Sequence, residues 1–136
     1  MPVTTPEMNE FASNYLDYLV ERKLDEVSTT SIDDSNTQYT GIHSGLGPPD
    51  MSLEEAVDHL RTVPPSKFFD HNPQGWYEGD VAWWILFPWS KMPVGGEIHL
   101  RVTLIARRVD GQWKAVHWHV SEAVDRAAEF GETPRQ

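Results

Sequence analysis

Arg101-Val-Thr-Leu-Ile-Ala-Arg-Arg-Val-Asp-Gly-Gln-Trp-Lys-Ala-Val-His-Trp-His-Val-Ser121 is the stretch on which the fold turns. Two runs rich in β-branched and aromatic residues meet at Asp110-Gly111. An Asp-Gly pair between such runs is a strong hairpin signal, because both central residues of the favoured turn need positive φ. A hairpin of this length cannot stand alone in water, so one face must be covered.

The residues ahead of it supply the cover. Thr5 followed by Pro6 reads as an N-cap with proline at the first helical position. Met8, Phe11, Ala12, Tyr15, Leu16, Leu19 and Val20 then recur at three- and four-residue spacing. This predicts an amphipathic helix that frays over Lys23 to Ser28. Asp33-Asp34-Ser35-Asn36 reads as a loop, and Gln38 to His43 as a short strand ended by Gly45-Leu-Gly-Pro-Pro49. Ser52-Leu-Glu-Glu55 is a capping box, so a second helix starts there, with Ala56, Val57, Leu60 and Val63 as its stripe and Pro64-Pro65 as its stop. Strands are expected near Lys67 to Asp70, Trp76 to Glu78, Val81 to Phe87, Glu97 to Val109 and Gln112 to Ser121, with Pro88 to Gly96 as a loop. The polar tail from Glu122 is expected to be mobile from about residue 125. Helices first and consecutive strands after is the α+β pattern of helices on one side of a mostly antiparallel sheet.

The run Gly75-Trp-Tyr-Glu-Gly-Asp-Val-Ala-Trp-Trp84, the Gly95-Gly96 loop, Arg101-Val-Thr103, Asp110-Gly-Gln-Trp113 and Val116-His-Trp-His-Val-Ser121 together resemble the SnoaL-like branch of the nuclear transport factor 2-like superfamily. The ending is also similar to the association domain of calcium/calmodulin-dependent kinase II. The resemblance implies a cone-shaped α+β fold in which a curved, mostly antiparallel sheet wraps the N-terminal helices and a pocket, as one domain over residues 1–136. It does not imply one chemistry, since such relatives include isomerases, cyclases, dehydratases, binding modules and oligomerisation domains.

A chain of 136 residues suits one domain. With no cysteine, thiol chemistry and disulfides are excluded. No stretch approaches the roughly twenty apolar residues that cross a bilayer, and a cytoplasmic protein is expected. Net charge is -10, carried by residues 1 to 60 with twelve acids against two bases, while residues 61 to 136 carry nine of each. That balance argues against nucleic acid and anionic membrane as partners.

Strand alternation puts Trp113, Ala115, His117, His119 and Ser121 on one face of the last strand and Lys114, Val116, Trp118 and Val120 on the other. In the kinase relative the position matching Val120 holds an arginine that looks into the pocket. The resemblance therefore implies that Val120, Trp118 and Val116 line the cavity and that His117 and His119 stand outside. A bulge would invert the assignment beyond it. Valine in place of arginine removes an anion-binding group, so the ligand expected is a small apolar molecule. The expected lining is Tyr15, Leu19, Trp84, Thr103, Trp118 and Val120, with Arg101 or Thr103 as the polar group that orients a ligand.

Trp83 and Trp84 are adjacent in a strand, so one faces inward and the other outward. An outer face holding Trp113, His117, His119 and one of those indoles is too apolar for water and predicts a homodimer. His43, His117 and His119 are secondary site candidates. A metal among them would need a third ligand from His43, His71, His99 or a carboxylate, which no spacing demands, so neither a metal nor any other cofactor is expected. For proton transfer, Tyr15 could donate to a developing enolate and Asp33, Asp34 or Asp70 could act as base if turned inward, while Asp17 lies off the inward stripe. Three functions stay open: a small-molecule-binding domain, an isomerase, cyclase or dehydratase, and an oligomerisation or regulatory module.

Overall fold

The structure, a computed structural model, describes residues 2–32, 40–42, 52–91 and 95–122, with the backbone alone for 40–42. Helix α1 (Pro6–Val20) begins as its sequence requires, with the Thr5 hydroxyl accepting from the Met8 amide. Its stripe of Met8, Ala12, Tyr15, Leu16, Leu19 and Val20 is buried against the sheet. The helix ends in a Schellman turn: the Lys23 amide donates to Tyr18, the Arg22 amide donates to Leu19, and Arg22 itself takes the left-handed φ of 61°. The chain then does not fray. Leu24–Thr29 forms a second helix, α2, because Val27 finds a fully buried seat, a gain that outweighs the weak helical propensity of the β-branched and hydroxyl residues there.

Strand β1 (Thr40–Ile42) falls within the expected segment, and it runs parallel to the last strand. The loop signals at residues 33–36 and 45–49 lie outside the described residues, as does the tail. Helix α3 (Leu53–Leu60) starts from Ser52, whose hydroxyl accepts from the Glu55 amide and meets the Glu55 carboxylate at 3.2 Å. It buries Ala56, Val57 and Leu60 but stops before Val63, which is 37% exposed, so the stripe is one turn shorter than expected. The first turn past Leu60 is already irregular ahead of Pro64.

The remaining strands are β2 (Phe68–Phe69), β3 (Gln74–Glu78), β4 (Val81–Leu86), β5 (Trp89–Lys91), β6 (Glu97–Val109) and β7 (Gln112–Glu122). Segment 89–91, expected as loop, is a strand because it pairs with both β2 and β6 and stacks the Trp89 ring on His99 at 4.3 Å. The β6–β7 hairpin turns at Asp110 and Gly111, both at positive φ (52° and 78°). The sheet order is β1-β7-β6-β4-β3, and β5 shares the long β6 with β4. Among the described strands every pairing is antiparallel except that of β1 with β7, and an isolated parallel bridge joins Ser31 to Ala115. The result is the α+β cone, with α1 inside the curve of the sheet.

Side-chain faces follow from this register. On β6, Leu100, Val102, Leu104 and Ala106 are buried toward the helices, and Arg101, Thr103 and Ile105 point away. On β7, Ile105 faces His117 whereas Ala106 faces Ala115, which leaves Val116 as the extra residue of a bulge. Beyond the bulge Trp118 points inward and His117 and His119 outward, as expected. Before it the alternation is reversed: Ala115 is fully buried, and Trp113 packs edge-on against the inward Trp84 at 6.3 Å. Trp113 therefore does not belong to the outer face.

Candidate functional site

A cavity of about 410 Å³ lies between the C-terminal end of α1, helix α3 and the sheet. The sheet side is apolar: Phe68 from β2, Leu100 from β6, and Trp118 and Val120 from β7. From the helices come Leu19, Val20 and Leu60, with Val63 from the segment after α3. Among the described residues the polar groups, Arg22, His59 and Ser66, stand on the helix side, which gives an apolar floor and a polar edge.

Leu19, Trp118 and Val120, expected as lining, line this cavity. Tyr15 and Trp84 do not reach the cavity. Both are sealed in the core, 1% exposed, with their polar atoms engaged. Ser31 donates to the Val27 carbonyl at 2.6 Å, which makes Tyr15 the donor in its 2.7 Å bond to Ser31. Trp84 Nε1 donates to Asn9 Oδ1 at 3.1 Å. A buried phenol committed in this way is part of the packing. Arg101 and Thr103, expected at the cavity, are instead exposed on the opposite face, because inward β6 positions are the even-numbered ones. His43, Asp33 and Asp34 lie outside the described residues, and Asp70 is exposed.

Arg22 is the residue that sequence reasoning missed. The Schellman position it occupies favours glycine, and a left-handed L-residue costs roughly 1–2 kcal/mol. Three bonds offset that strain: Nε donates to Val63 O at 3.0 Å, Nη2 to Pro64 O at 3.3 Å, and Nη1 to Leu19 O. The side chain thereby ties the end of α1 to the segment after α3, and the Ser66 amide reinforces the tie by donating to Val20 O at 2.7 Å. Burial alone lowers the guanidinium pKa from its ordinary value. No sequence signal announces this residue, since its role depends on contacts some forty positions away.

Asp17 and His71 form a second polar pair, Oδ1 to Nε2 at 2.7 Å, with the histidine largely buried. They join α1 to the β2–β3 connection but do not line the cavity. On the outer face, Trp76, Trp83, Ile105 and His117 stand in one cross-strand row, with Ile85, Thr103 and His119 in the next. Trp83 points outward and Trp84 inward, as adjacent strand residues must. The His117 pKa is lowered, by burial first and then by neighbouring His119. Among the described residues no three metal-binding side chains converge, and no helix is long and apolar enough to cross a membrane.

Residues 9–125 match the model of the SnoaL-like domain family. No protein of curated function matches the chain. Among solved structures, a nuclear transport factor 2-like protein of unknown function from Pseudomonas putida KT2440 is similar at 16% identity and TM-score 0.70, over 90% of this chain and 88% of that one. A candidate ketosteroid isomerase from Parabacteroides distasonis is similar at 19% identity and TM-score 0.69, over 88% and 89%. The hub homology domain of calcium/calmodulin-dependent kinase II from Chlamydomonas reinhardtii is similar at 16% identity and TM-score 0.65, over 88% and 100%. At these identities the likeness establishes the fold alone.

Proposed function

The chain belongs to the SnoaL-like domain family, and on that premise we propose that it binds a small, largely apolar molecule in the cavity between α1, α3 and the sheet, as a homodimer paired through the outer sheet face. The cavity carries the reading. Its 410 Å³ falls within the range of small-molecule sites, and its walls are apolar with a few polar groups at one edge. The outer row of Trp76, Trp83, Ile105 and His117 supports the dimer, because half-exposed indoles beside an isoleucine that is 37% exposed gain most by burial in an interface. The kinase hub neighbour has the same fold.

Proton-transfer catalysis is the second reading, favoured by the Asp17–His71 pair. A carboxylate that orients a histidine is a familiar base arrangement. Binding is preferred because this pair stands outside the cavity lining, and because the lining among the described residues holds a histidine, His59, but no carboxylate. Calorimetric titration with decanol tests the binding reading: saturable binding that is lost when Leu60→Trp fills the cavity supports it, and no binding to the intact protein refutes it. Light scattering tests the dimer, which a monomer at all concentrations near neutral pH rules out.

A further inference from the structure

The cavity's polarity is one-sided, and among the described residues its lining holds one permanent charge, Arg22. Among the described residues Arg22 bonds to backbone carbonyls, on Leu19, Val63 and Pro64, and to no carboxylate. Three bonds leave two of the five guanidinium N–H groups without an acceptor among the described residues. A cation at the edge of an apolar chamber is drawn to an anion far more strongly than one in open water, because the surroundings screen it less. A planar guanidinium fork also suits the two oxygens of a carboxylate.

We propose that Arg22 anchors the acidic head of an amphipathic ligand, a carboxylate whose apolar tail lies along Trp118, Val120 and Leu100. This rests on the cavity being the binding site and names the class of molecule it takes. Val120 supplies no charge from the sheet, so the head-group contact moves to the opposite wall, where Arg22 and His59 stand. The desolvation that lowers the Arg22 pKa is a cost that an incoming carboxylate relieves. The left-handed backbone at residue 22 fits the same account. It directs a long side chain back across the end of α1, and the bonds to Val63 and Pro64 hold the fork in place before any ligand arrives.

Paired titrations with decanoate and decanol, which share a tail and differ in the head, test the proposal. Decanoate is expected to bind about ten- to a hundredfold more tightly, the range of a charge-assisted hydrogen bond. In Arg22→Gln the ratio of the two affinities should fall to about one, whatever the level of decanol affinity itself, and Arg22→Lys should retain part of it as a point charge without the fork. Equal affinities in the unaltered protein overturn the proposal with no variant needed, so a misfolded Arg22→Gln protein cannot protect it. A preference that survives Arg22→Gln overturns it too, since the anchor would lie elsewhere. Failure of both probes to bind refutes the cavity itself and the proposal with it, whereas decanol binding without a decanoate preference removes Arg22 alone.

Discussion

Replacing Gly75 with alanine should destabilise the protein, and the sign of the effect is the test. Gly75 lies on β3 opposite Trp84, and its φ is not positive, so alanine meets no backbone strain. On conformational grounds alone the change would stabilise by about 0.4–1 kcal/mol through the unfolded chain. Packing opposes it. A Cβ built on Gly75 would fall 2.4 Å from Trp84 Cδ1, 2.8 Å from its Nε1 and 2.7 Å from the Trp83 carbonyl. Carbon atoms settle at roughly 3.5–4 Å, so the indole must withdraw by about 1 Å. It has nowhere to go: it is 1% exposed, bound to Asn9, and flanked by Phe11 at 5.9 Å and Trp113 at 6.3 Å. Overpacking costs about 1–3 kcal/mol and a weakened indole–Asn9 bond about 1 more. Less the entropic gain, the net loss is about 1–3.5 kcal/mol, read from the urea midpoint at constant slope. A Gly75→Ala protein as stable as the parent refutes the packing argument. A smaller ring in Trp84→Phe should relieve the two indole contacts and leave the one with the Trp83 carbonyl, so Gly75→Ala made in that background should cost less than in the parent.

Trp118→Ala should cost about 3–5 kcal/mol by denaturant titration, and a loss well under 1 kcal/mol would show that the indole is not packed inside the sheet. Tyr15→Phe should cost about 1–2 kcal/mol by removing a buried hydrogen bond to Ser31 yet leave decanol affinity unchanged; a large change in affinity would move Tyr15 into the site. Because His117 is held below its ordinary value of 6.5, the unfolded chain takes up its proton first, and that contribution to stability is lost as pH falls below about 6.5. The urea midpoint of the parent should therefore drop more between about pH 7.5 and 5.5 than that of His117→Gln, and parallel curves would exclude His117 as the cause. If the outer face is the dimer interface, association measured by light scattering should weaken over the same interval, because the proton would sit in partly desolvated surroundings.

Much of the fold is legible in local chemistry. Thr5-Pro6, the capping box at Ser52 and Asp110-Gly111 are each decided by backbone groups within four residues, and all three appear where the residues place them. Trp83 and Trp84 divide between faces because alternation needs no partner. What failed depended on partners far along the chain. Segment 89–91 became a strand only because β2 and β6 were there to pair with it, and α2 formed because Val27 met a buried seat. Parity along the last strand was right beyond Val116 and reversed before it, since a bulge is visible only as a mismatch of register between two strands. The same register sent Arg101 and Thr103 away from the cavity. The cavity's floor of Trp118 and Val120 follows from the sequence once the inward face is chosen, whereas its polar edge does not. Arg22, His59 and Ser66 come from three separate segments, brought together by bonds between the end of α1 and residues 63–66, and only the folded chain sets those distances.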